Sequence, residues 1–506
     1  MTERVKFIGF AATALGMFMA LFDVQIVAAS LGDIQGGLAG SPDEVSWTQT
    51  SYLIAEVVMI PLSGWLAAAF STRWVYTAST AGFTLMSIAC GLSQSVEMLI
   101  ACRVGQGFFG GALVTLAFST GYGQFTGAKA TIVPIALGLA ANLAPVLGPT
   151  IGGWITTTFS WRWIFLINVV PGIIILWIVP RFVRVDRPQL HMLRGFDALS
   201  IPFIVVALGG LQYILETGAS EGWFNSDKIV WSAWAVAFSA AFALYRGLTH
   251  SRPVLDFRAM ANRNFALASI LSFILGIGLY GFIYLLPLFL GRIRGYNAVQ
   301  VGQAIAVIGV FQIVSMILVM PLMRRVDLRL LLGAGFLAFA TSIVLMTPIT
   351  AEWSERELLL GEALRGTAGM FVAVPISNLA LMGLSADRLK MASGLFNLMR
   401  NLGGAIGIAL LSTVLIESRA TNEADIAVRM RSADPAVHAA LERREDLLAS
   451  YSSDDEVNAM RAKVLVQRIV EREATVMSFA NALWAMAGSF VFGLLLVPWF
   501  KIRRTE

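Results

Sequence analysis

Charged residues are scarce in this chain. Asp, Glu, Lys and Arg together make up 14% of its 506 residues, whereas soluble domains carry about 25%. The hydrophobic fraction is 57%, and the mean hydropathy is +0.73. A soluble globular protein is therefore excluded, and we expect an integral membrane protein.

Cysteine and the common enzyme motifs are also nearly absent. Cys90 and Cys102 both lie in apolar runs, which is typical of core packing and not of a disulfide or metal site. The sequence has no Walker A, HExxH or GxSxG motif, so ATP hydrolysis and common hydrolase chemistry are not supported. We expect neither an enzyme nor a cofactor or metal. Arg4 and Lys6 precede an apolar run too long for a signal-peptide core, so no removable signal peptide is expected.

What the sequence has instead is a series of long apolar runs. A transmembrane helix needs about 20 mostly apolar residues, and no strand is needed to explain any segment. The expected class is an all-α integral membrane protein with fourteen transmembrane helices. The expected spans are Phe7–Leu31, Ser46–Phe70, Trp74–Ser93, Glu97–Tyr122, Ala130–Thr157, Arg162–Phe182, Asp197–Glu216, Lys228–Leu248, Arg263–Gly291, Val299–Leu322, Leu328–Thr350, Arg356–Leu384, Lys390–Ile416 and Thr475–Phe500.

The basic residues predict the orientation. With the N-terminus inside, twenty Lys and Arg fall in inner segments and five in the short outer connections. This bias matches the positive-inside rule and places both termini in the cytoplasm. The net charge of +5 is then a consequence of topology, and no nucleic-acid partner is expected.

The chain repeats itself at a spacing of about 260 residues. Three matches give offsets of 260, 262 and 259: Ile60-Pro61-Leu62 with Met320-Pro321-Leu322, Arg103 with Arg365, and Asn142-Leu143 with Asn401-Leu402. We infer two six-helix halves, residues 1–182 and 263–506, and a linker of residues 183–262 that carries an inserted helix pair. Parallel repeats of this kind place substrate between the halves near the midplane, and rocking of the halves gives alternating access.

Two carboxylates lie where charge is costly. Asp23 is in the first span and Glu56 in the second, and an ionised side chain at membrane depth costs roughly 2.5–3.5 kcal/mol. At 1.5 Å per residue, Asp23 and Arg103 lie roughly 12 and 9 Å from the outer ends of their helices, so they could pair. We predict that protonation of Asp23, shared with Glu56, alternates with binding of an amphipathic substrate, and that Arg103 pairs with Asp23, so that these three residues couple transport to protons. The alternative is that Asp23 and Arg103 form a fixed structural ion pair.

Several motifs resemble those of one transporter family. The run Gly138–Gly153 resembles the antiporter motif of major facilitator drug exporters, Arg103–Gly107 that superfamily's fourth-helix arginine motif, and Leu21–Val27 the first-helix aspartate motif of fourteen-helix drug:proton antiporters, the EmrB/QacA branch. Further segments are similar to EmrB-type exporters: Trp163–Asn168, Gly222–Phe224, Pro253–Asp256 and Arg400–Gly404. The resemblance implies a major facilitator fold with its helices arranged as 6+2+6 and proton-driven export of drugs.

Two positions depart from the family pattern. The loop after the second helix normally carries an acid and a glycine, but here Ala68 and Ser71 occupy that motif, which weakens any salt-bridge gate at this loop. Glu56 stands where an amide or a small residue is expected, so its role is not carried over from the family.

Further candidates line the predicted cavity or shape its walls. Polar residues of several spans are expected at the substrate cavity, although an internal structural network is an alternative for those of the second half: Gln25, Asn142, Glu362, Arg365, Asn397 and Arg400. Small residues spaced for close helix contact, together with two prolines, are expected to support gating or simply packing: Gly107, Gly111, Pro145, Gly148, Pro149, Gly152, Gly153, Gly403 and Gly407. We expect the fifth-span glycines to slide against the opposite half.

One long polar segment, residues 417–474, lies outside the membrane. Asp434-Pro435 and Ser453–Glu456 read as helix starts, and apolar stripes predict two amphipathic helices on the periplasmic side, the second continuing into the last span. The resemblance implies that this segment docks a periplasmic adaptor, which connects to an outer-membrane channel. A lid over the transporter and a solvated connector are the alternatives.

We predict a proton-coupled exporter of hydrophobic or amphipathic compounds in a bacterial cytoplasmic (inner) membrane. An exporter of one endogenous amphiphile, such as a fatty acid or lipid, is an alternative. A non-transporting membrane receptor or sensor is an alternative from another class, which the buried acids and the repeats disfavour.

Overall fold

A computed structural model describes residues 3–125, 129–130, 132–193, 197–250, 253–381, 386–431 and 455–501. Within these ranges all regular structure is helical. Twelve helices are long and apolar enough to cross a membrane, and Ile132–Thr158 adds a span that is bent by 43° between Pro145 and Leu147. The 20-residue helix Thr72–Gly91 occupies the position of the remaining expected span. The expected all-α class is thus confirmed, and each of the fourteen expected spans falls on a described helix.

The first part of the chain contains six membrane-crossing segments and one short connecting helix. The sixth segment is split into two helices at Ile167-Asn168. The helices are α1 (Glu3–Ala29), α2 (Leu31–Leu38), α3 (Pro42–Phe70), α4 (Thr72–Gly91), α5 (Val96–Gln124), α6 (Ile132–Thr158), α7 (Trp163–Leu166) and α8 (Val169–Phe182).

The inserted pair and the last six long helices follow. The pair is α9 (Ser200–Thr217) and α10 (Asp227–Thr249). The remaining helices are α11 (Arg263–Arg294), α12 (Ala298–Arg325), α13 (Leu328–Met346), α14 (Glu355–Leu381), α15 (Ala386–Arg431) and α16 (Asp455–Leu496).

Both final helices run past the predicted span ends. α15 continues to Arg431 and α16 begins at Asp455, so the parts of segment 417–474 that the structure describes are extensions of the spans. The Asn422 side chain donates to the Ala474 carbonyl oxygen at 3.4 Å, and this contact joins the two extensions. The second amphipathic helix therefore continues into the last span, as expected. The predicted helix start at Asp434-Pro435 lies outside the described residues.

The two halves use the same close contact between equivalent helices. A Cβ atom on Gly107 of α5 would lie 2.2 Å from the Tyr52 carbonyl oxygen of α3, and one on Gly366 of α14 would lie 2.5 Å from the Ile308 carbonyl oxygen of α12. Both contacts are possible only for glycine, because real Cβ atoms do not approach that closely. Close glycine contact therefore recurs between the equivalent helix pairs, although Gly107 stands four residues after Arg103 whereas Gly366 directly follows Arg365.

The halves meet along two seams. Near the face that carries Glu3 and Lys501, the first and last described residues, called the terminal face below, the Tyr122 hydroxyl of α5 donates to Asn378 of α14 at 3.3 Å. Towards the opposite face, called the distal face, Thr150 of α6 packs against Gly302 of α12. The inserted helix α9 contacts both α3 and α15, so it belongs to the seam between those two helices.

A carboxylate fixes the inserted pair at the terminal face. Asp197, which precedes α9, forms a salt bridge with Arg246 of α10 at 2.5 Å and accepts a hydrogen bond from the Ser200 hydroxyl. Burial by itself raises the pKa of Asp197, but the hydrogen bonds and charge of Arg246 and the Ser200 bond outweigh it, so the net pKa lies below its usual range.

Candidate functional site

The expected pair of Asp23 and Arg103 is formed. The Arg103 Nη1 atom donates to Asp23 Oδ2 at 2.5 Å, and the solvent-exposed fraction of both side chains is 0%. Arg103 Nε donates to the Thr48 carbonyl oxygen at 3.0 Å, and its guanidinium carbon lies 4.1 Å from the centroid of the Tyr52 ring. α1, α3 and α5 thus converge on one buried ion pair.

Three polar side chains that were not predicted as site residues complete this network. Gln106 Nε2 donates to Asp23 Oδ1 at 2.9 Å, and Asn168 Nδ2 donates to the same oxygen at 2.7 Å. Gln106 also donates to the Ser87 hydroxyl at 2.7 Å. Gln106 belongs to the Arg103–Gly107 motif and Asn168 to the Trp163–Asn168 segment. Their place in these two segments was the sequence signal that could have identified them as site residues.

Next to this network lies a cavity of about 260 Å³ between the two halves. Glu56, one helical turn after Tyr52 on α3, lines the cavity, whereas Asp23 and Arg103 are not among its lining residues. Gln25, the second residue after Asp23, does line it. The structure therefore separates the predicted proton-coupling residues into a buried ion pair and a cavity-facing carboxylate.

The predicted cavity residues of the second half are distributed in the same way. Arg365, Asn397 and Arg400 line the cavity, whereas Glu362 does not. Glu362 is 1% exposed, and its Oε1 atom has no hydrogen-bond partner among the described residues. The Asn142 side chain lies outside the described residues.

The two cavity arginines are buried without an ion pair in the described part of the chain. Arg365 is 6% and Arg400 7% exposed, and the Nε atom of each has no hydrogen-bond partner there. Each guanidinium instead faces an aromatic ring, at 4.3 Å from the Phe282 centroid for Arg365 and 5.3 Å from the Phe396 centroid for Arg400. Cation–π contacts of this kind leave the hydrogen-bond donors of an arginine free.

The predicted glycines mark close helix contacts. A Cβ on Gly111 would lie 2.5 Å from the Glu56 carbonyl oxygen. The α3 backbone at Glu56 therefore packs directly against α5. Gly403 and Gly407 of α15 contact Phe273 and Ile277 of α11 in the same manner.

The contacts of the α6 glycines differ from our expectation. Gly148 and Gly152 pack against Gln25 and Ile26 of α1, which belongs to the same half. The residue of this turn that faces the opposite half is Thr150, because positions two residues apart point to different sides of a helix. Two further α6 residues shape the helix itself. The Gly153 carbonyl oxygen accepts a hydrogen bond from the Thr157 hydroxyl at 2.7 Å, and the bend in α6 lies directly after Pro145. Pro145 and Pro149 both line the cavity.

Two polar side chains of α9 were missed by the sequence reasoning. Gln212 and Glu216 line the central cavity together with Leu215 and Ala219. Their spacing of three and four residues places them on one face of the helix. A carboxylate and an amide one turn apart in an apolar span mark unusual polar positions, but nothing in the sequence places these positions at the cavity.

Comparison with known proteins identifies the family. The family model of the Major Facilitator Superfamily matches residues 13–408. This chain belongs to the Major Facilitator Superfamily. A solved transporter shares its fold: the human organic anion transporter MFSD10 aligns with a TM-score of 0.61 at 14% identity, over 98% of this chain and 100% of that one.

Within the superfamily the predicted relationship to EmrB-type exporters is confirmed. The colistin resistance protein EmrB of Acinetobacter baumannii is 34% identical over 94% of this chain and 93% of its own length. The multidrug export protein EmrB of Escherichia coli is 28% identical, covering 97% and 94%. The fatty acid resistance protein FarB of Neisseria gonorrhoeae is 26% identical, covering 96% and 93%.

Proposed function

We propose that this protein exports hydrophobic or amphipathic compounds across the cytoplasmic membrane in exchange for protons. The names of its relatives, which include multidrug export and colistin resistance proteins, support the export of such compounds. The observation that carries the proton coupling is the carboxylate of Glu56, which lines the cavity between the halves within one turn of Tyr52 and the buried ion pair.

The proton exchange site is Glu56. Its carboxylate can meet water and substrate in the cavity, whereas the carboxylate of Asp23 is held by Arg103, Gln106 and Asn168. When the halves rock, α3 and α5 move together because Gly107 and Gly111 bind them closely. Asp23 and Arg103 keep a fixed charge pattern beside Glu56, and this pattern acts on the proton that Glu56 binds as the halves rock.

The terminal face is assigned to the cytoplasm. Twenty basic residues in the inner segments against five in the short outer connections favour this orientation. Both chain termini are then cytoplasmic, and the cavity residues of α9 lie towards the periplasm of an inner membrane.

The test is transport by purified protein in proteoliposomes. With an imposed pH gradient, the wild-type protein is expected to move a fluorescent amphiphile uphill, and Glu56→Gln and Asp23→Asn are expected to lose gradient-driven transport while they still bind the amphiphile. If both variants keep full coupled transport, neither acid carries the proton. If wild-type protein binds amphiphiles but moves neither them nor protons, the protein is a receptor or sensor.

A second candidate function is export of one endogenous anionic amphiphile. The observation in its favour is that the guanidiniums of Arg365 and Arg400 line the cavity and make no ion pair with any described residue, and the relative named for fatty acid resistance is consistent with it. In this case the protein transports a fatty acid much better than cationic or neutral amphiphiles of equal length, and Arg400→Gln removes that preference.

The helical extensions of α15 and α16 are proposed to dock a periplasmic adaptor that leads to an outer-membrane channel. At 1.5 Å per residue, the 46-residue α15 is about 69 Å long, roughly twice the hydrocarbon thickness of a bilayer. Met460 and Val464 of α16 are exposed. Replacing both with Glu is expected to lower resistance in cells without lowering transport in proteoliposomes. Equal losses in both assays would contradict docking.

A further inference from the structure

The inserted helix α9 forms part of the wall of the central cavity. Its face towards α3 is packed: the rings of Tyr213 and Trp47 stack with centroids 5.8 Å apart, and a Cβ on Gly209 would lie 3.2 Å from Ile54. The connection after α9 is held to α15, where Trp223 Nε1 donates to the Thr413 hydroxyl at 3.0 Å. α9 is thereby fixed to both halves.

Direct contact between α3 and α15 is found at the terminal side of the cavity. There a Cβ on Gly394 of α15 would lie 3.4 Å from the Ile60 carbonyl oxygen of α3. On the distal side, α9 contacts both helices. The residues that α9 adds to the cavity therefore complete a wall along this seam.

The stripe of α9 that faces the cavity carries two polar groups. Gln212 is 7% exposed, and its amide makes no hydrogen bond with any described residue, although it lines the cavity. Glu216 lies one turn nearer the distal face, and within the described residues no basic group pairs with it. Lys228, on the neighbouring helix α10, lies 3.7 Å from Glu221 instead.

We propose that Gln212 and Glu216 form a subsite for the cationic group of amphipathic substrates. This inference rests on the proposed export function and names a substrate class for it. Glu216 is an exposed carboxylate at the rim of the cavity, and with no counter-ion among the described residues it attracts a cation. The nine-tenths buried Gln212 amide supplies a dipole one turn deeper, and Tyr280 and Tyr284 offer aromatic faces in the same cavity.

The subsite also gives the inserted pair a role in selectivity. Arg365 and Arg400 of α14 and α15 line the same cavity and carry the opposite charge. An anionic group is expected to bind at those arginines, and a cationic group at α9. One cavity can thus accept amphiphiles of either charge by binding their charged ends at separate walls.

The experiment uses three dansyl alkyl probes of equal chain length that end in a trimethylammonium, a hydroxyl or a carboxylate group. Equilibrium binding to purified full-length protein and gradient-driven transport in proteoliposomes are measured for wild type, Glu216→Gln, Glu216→Asp and the control Glu221→Gln. Glu216→Gln is expected to weaken binding and transport of the trimethylammonium probe about 10-fold, and those of the hydroxyl probe less than about 2-fold. Glu216→Asp is expected to restore part of the loss.

The outcomes separate this subsite from the export function itself. The subsite is overturned if Glu216→Gln weakens binding and transport of all three probes to the same extent. It is also overturned if this variant binds and transports the trimethylammonium probe as well as wild type does. An equal loss for that probe in Glu221→Gln also overturns it, because a general surface-charge effect would then explain the result. If the wild-type protein binds the probes with the predicted charge dependence but transports none of them, the proposed export function fails while the subsite stands.

Discussion

Arg103 and Arg365 occupy equivalent positions in the two halves, but their surroundings differ. Arg103 is fully buried and bonded to Asp23, Gln106 and the Thr48 carbonyl oxygen. Arg365 lines the cavity, and in the described part of the chain it has a ring contact with Phe282 but no ion pair. The duplicated arginine is thus held in a closed ion pair in one half and, among the described residues, lines the cavity without an ion pair in the other. A repeat in sequence and packing does not imply a repeat in chemistry.

The largest expected effect comes from removing these two arginines in parallel. Arg103→Met leaves the carboxylate of Asp23 buried without its cation, which is expected to lower stability by about 3–5 kcal/mol. Arg365→Met removes a cation that makes no ion pair with any described residue, so its effect is expected to be smaller, about 1 kcal/mol. Unfolding of both variants in detergent, followed by tryptophan fluorescence, measures the difference. Similar losses for both would remove the distinction between the halves.

A smaller effect is expected where the halves are alike. Gly107→Ala and Gly366→Ala each place a Cβ within 2.5 Å of a carbonyl oxygen of the neighbouring helix, and such overpacking costs about 1–3 kcal/mol. Gly488→Ala on α16 is the control, because a Cβ there meets nothing within 4 Å. Thermal unfolding should show comparable losses for the first two variants and none for the third. A loss in one half alone would show that the packing is not duplicated.

The smallest effect is expected at the ion pair of Asp197 and Arg246, which lies at the terminal face. Asp197→Asn weakens the bond to Arg246, and because the Arg246 side chain is 26% exposed the expected loss of stability is below about 1 kcal/mol. The pKa of Asp197 is held below its usual range, so its stabilising effect is present above about pH 4 and is lost as the pH falls through the lowered value. The difference in unfolding temperature between wild type and Asp197→Asn is therefore expected at pH 7 and should shrink below pH 4. A difference independent of pH would contradict the ion pair.

The sequence predicted the helices and the ion pair because both depend on strong local rules. Apolar run length fixes the spans, and depth along the helices placed Asp23 level with Arg103. The sequence did not show that Asp23 faces away from the cavity while Glu56 faces it, because that depends on how α1 and α3 rotate against their neighbours. The same holds for Gly148 and Gly152, whose partner is α1 and not the opposite half.

The contribution of α9 to the cavity could not be predicted for a related reason. Composition identifies α9 and α10 as an inserted pair, but their position against α3 and α15 is set by tertiary contacts such as Tyr213–Trp47. No pattern in the repeat applies to an insertion that lacks a counterpart. Gln212 and Glu216 therefore became visible as cavity residues only in three dimensions.

The central claim is that Glu56 carries the proton that drives export. The direct measurement is proton movement in proteoliposomes that contain a pH-sensitive dye, started by adding an amphipathic substrate in the absence of an imposed gradient. Wild-type protein is expected to move protons against the substrate, and Glu56→Gln is expected to exchange labelled for unlabelled substrate without moving protons. Substrate-driven proton movement in Glu56→Gln at the wild-type rate would contradict the account.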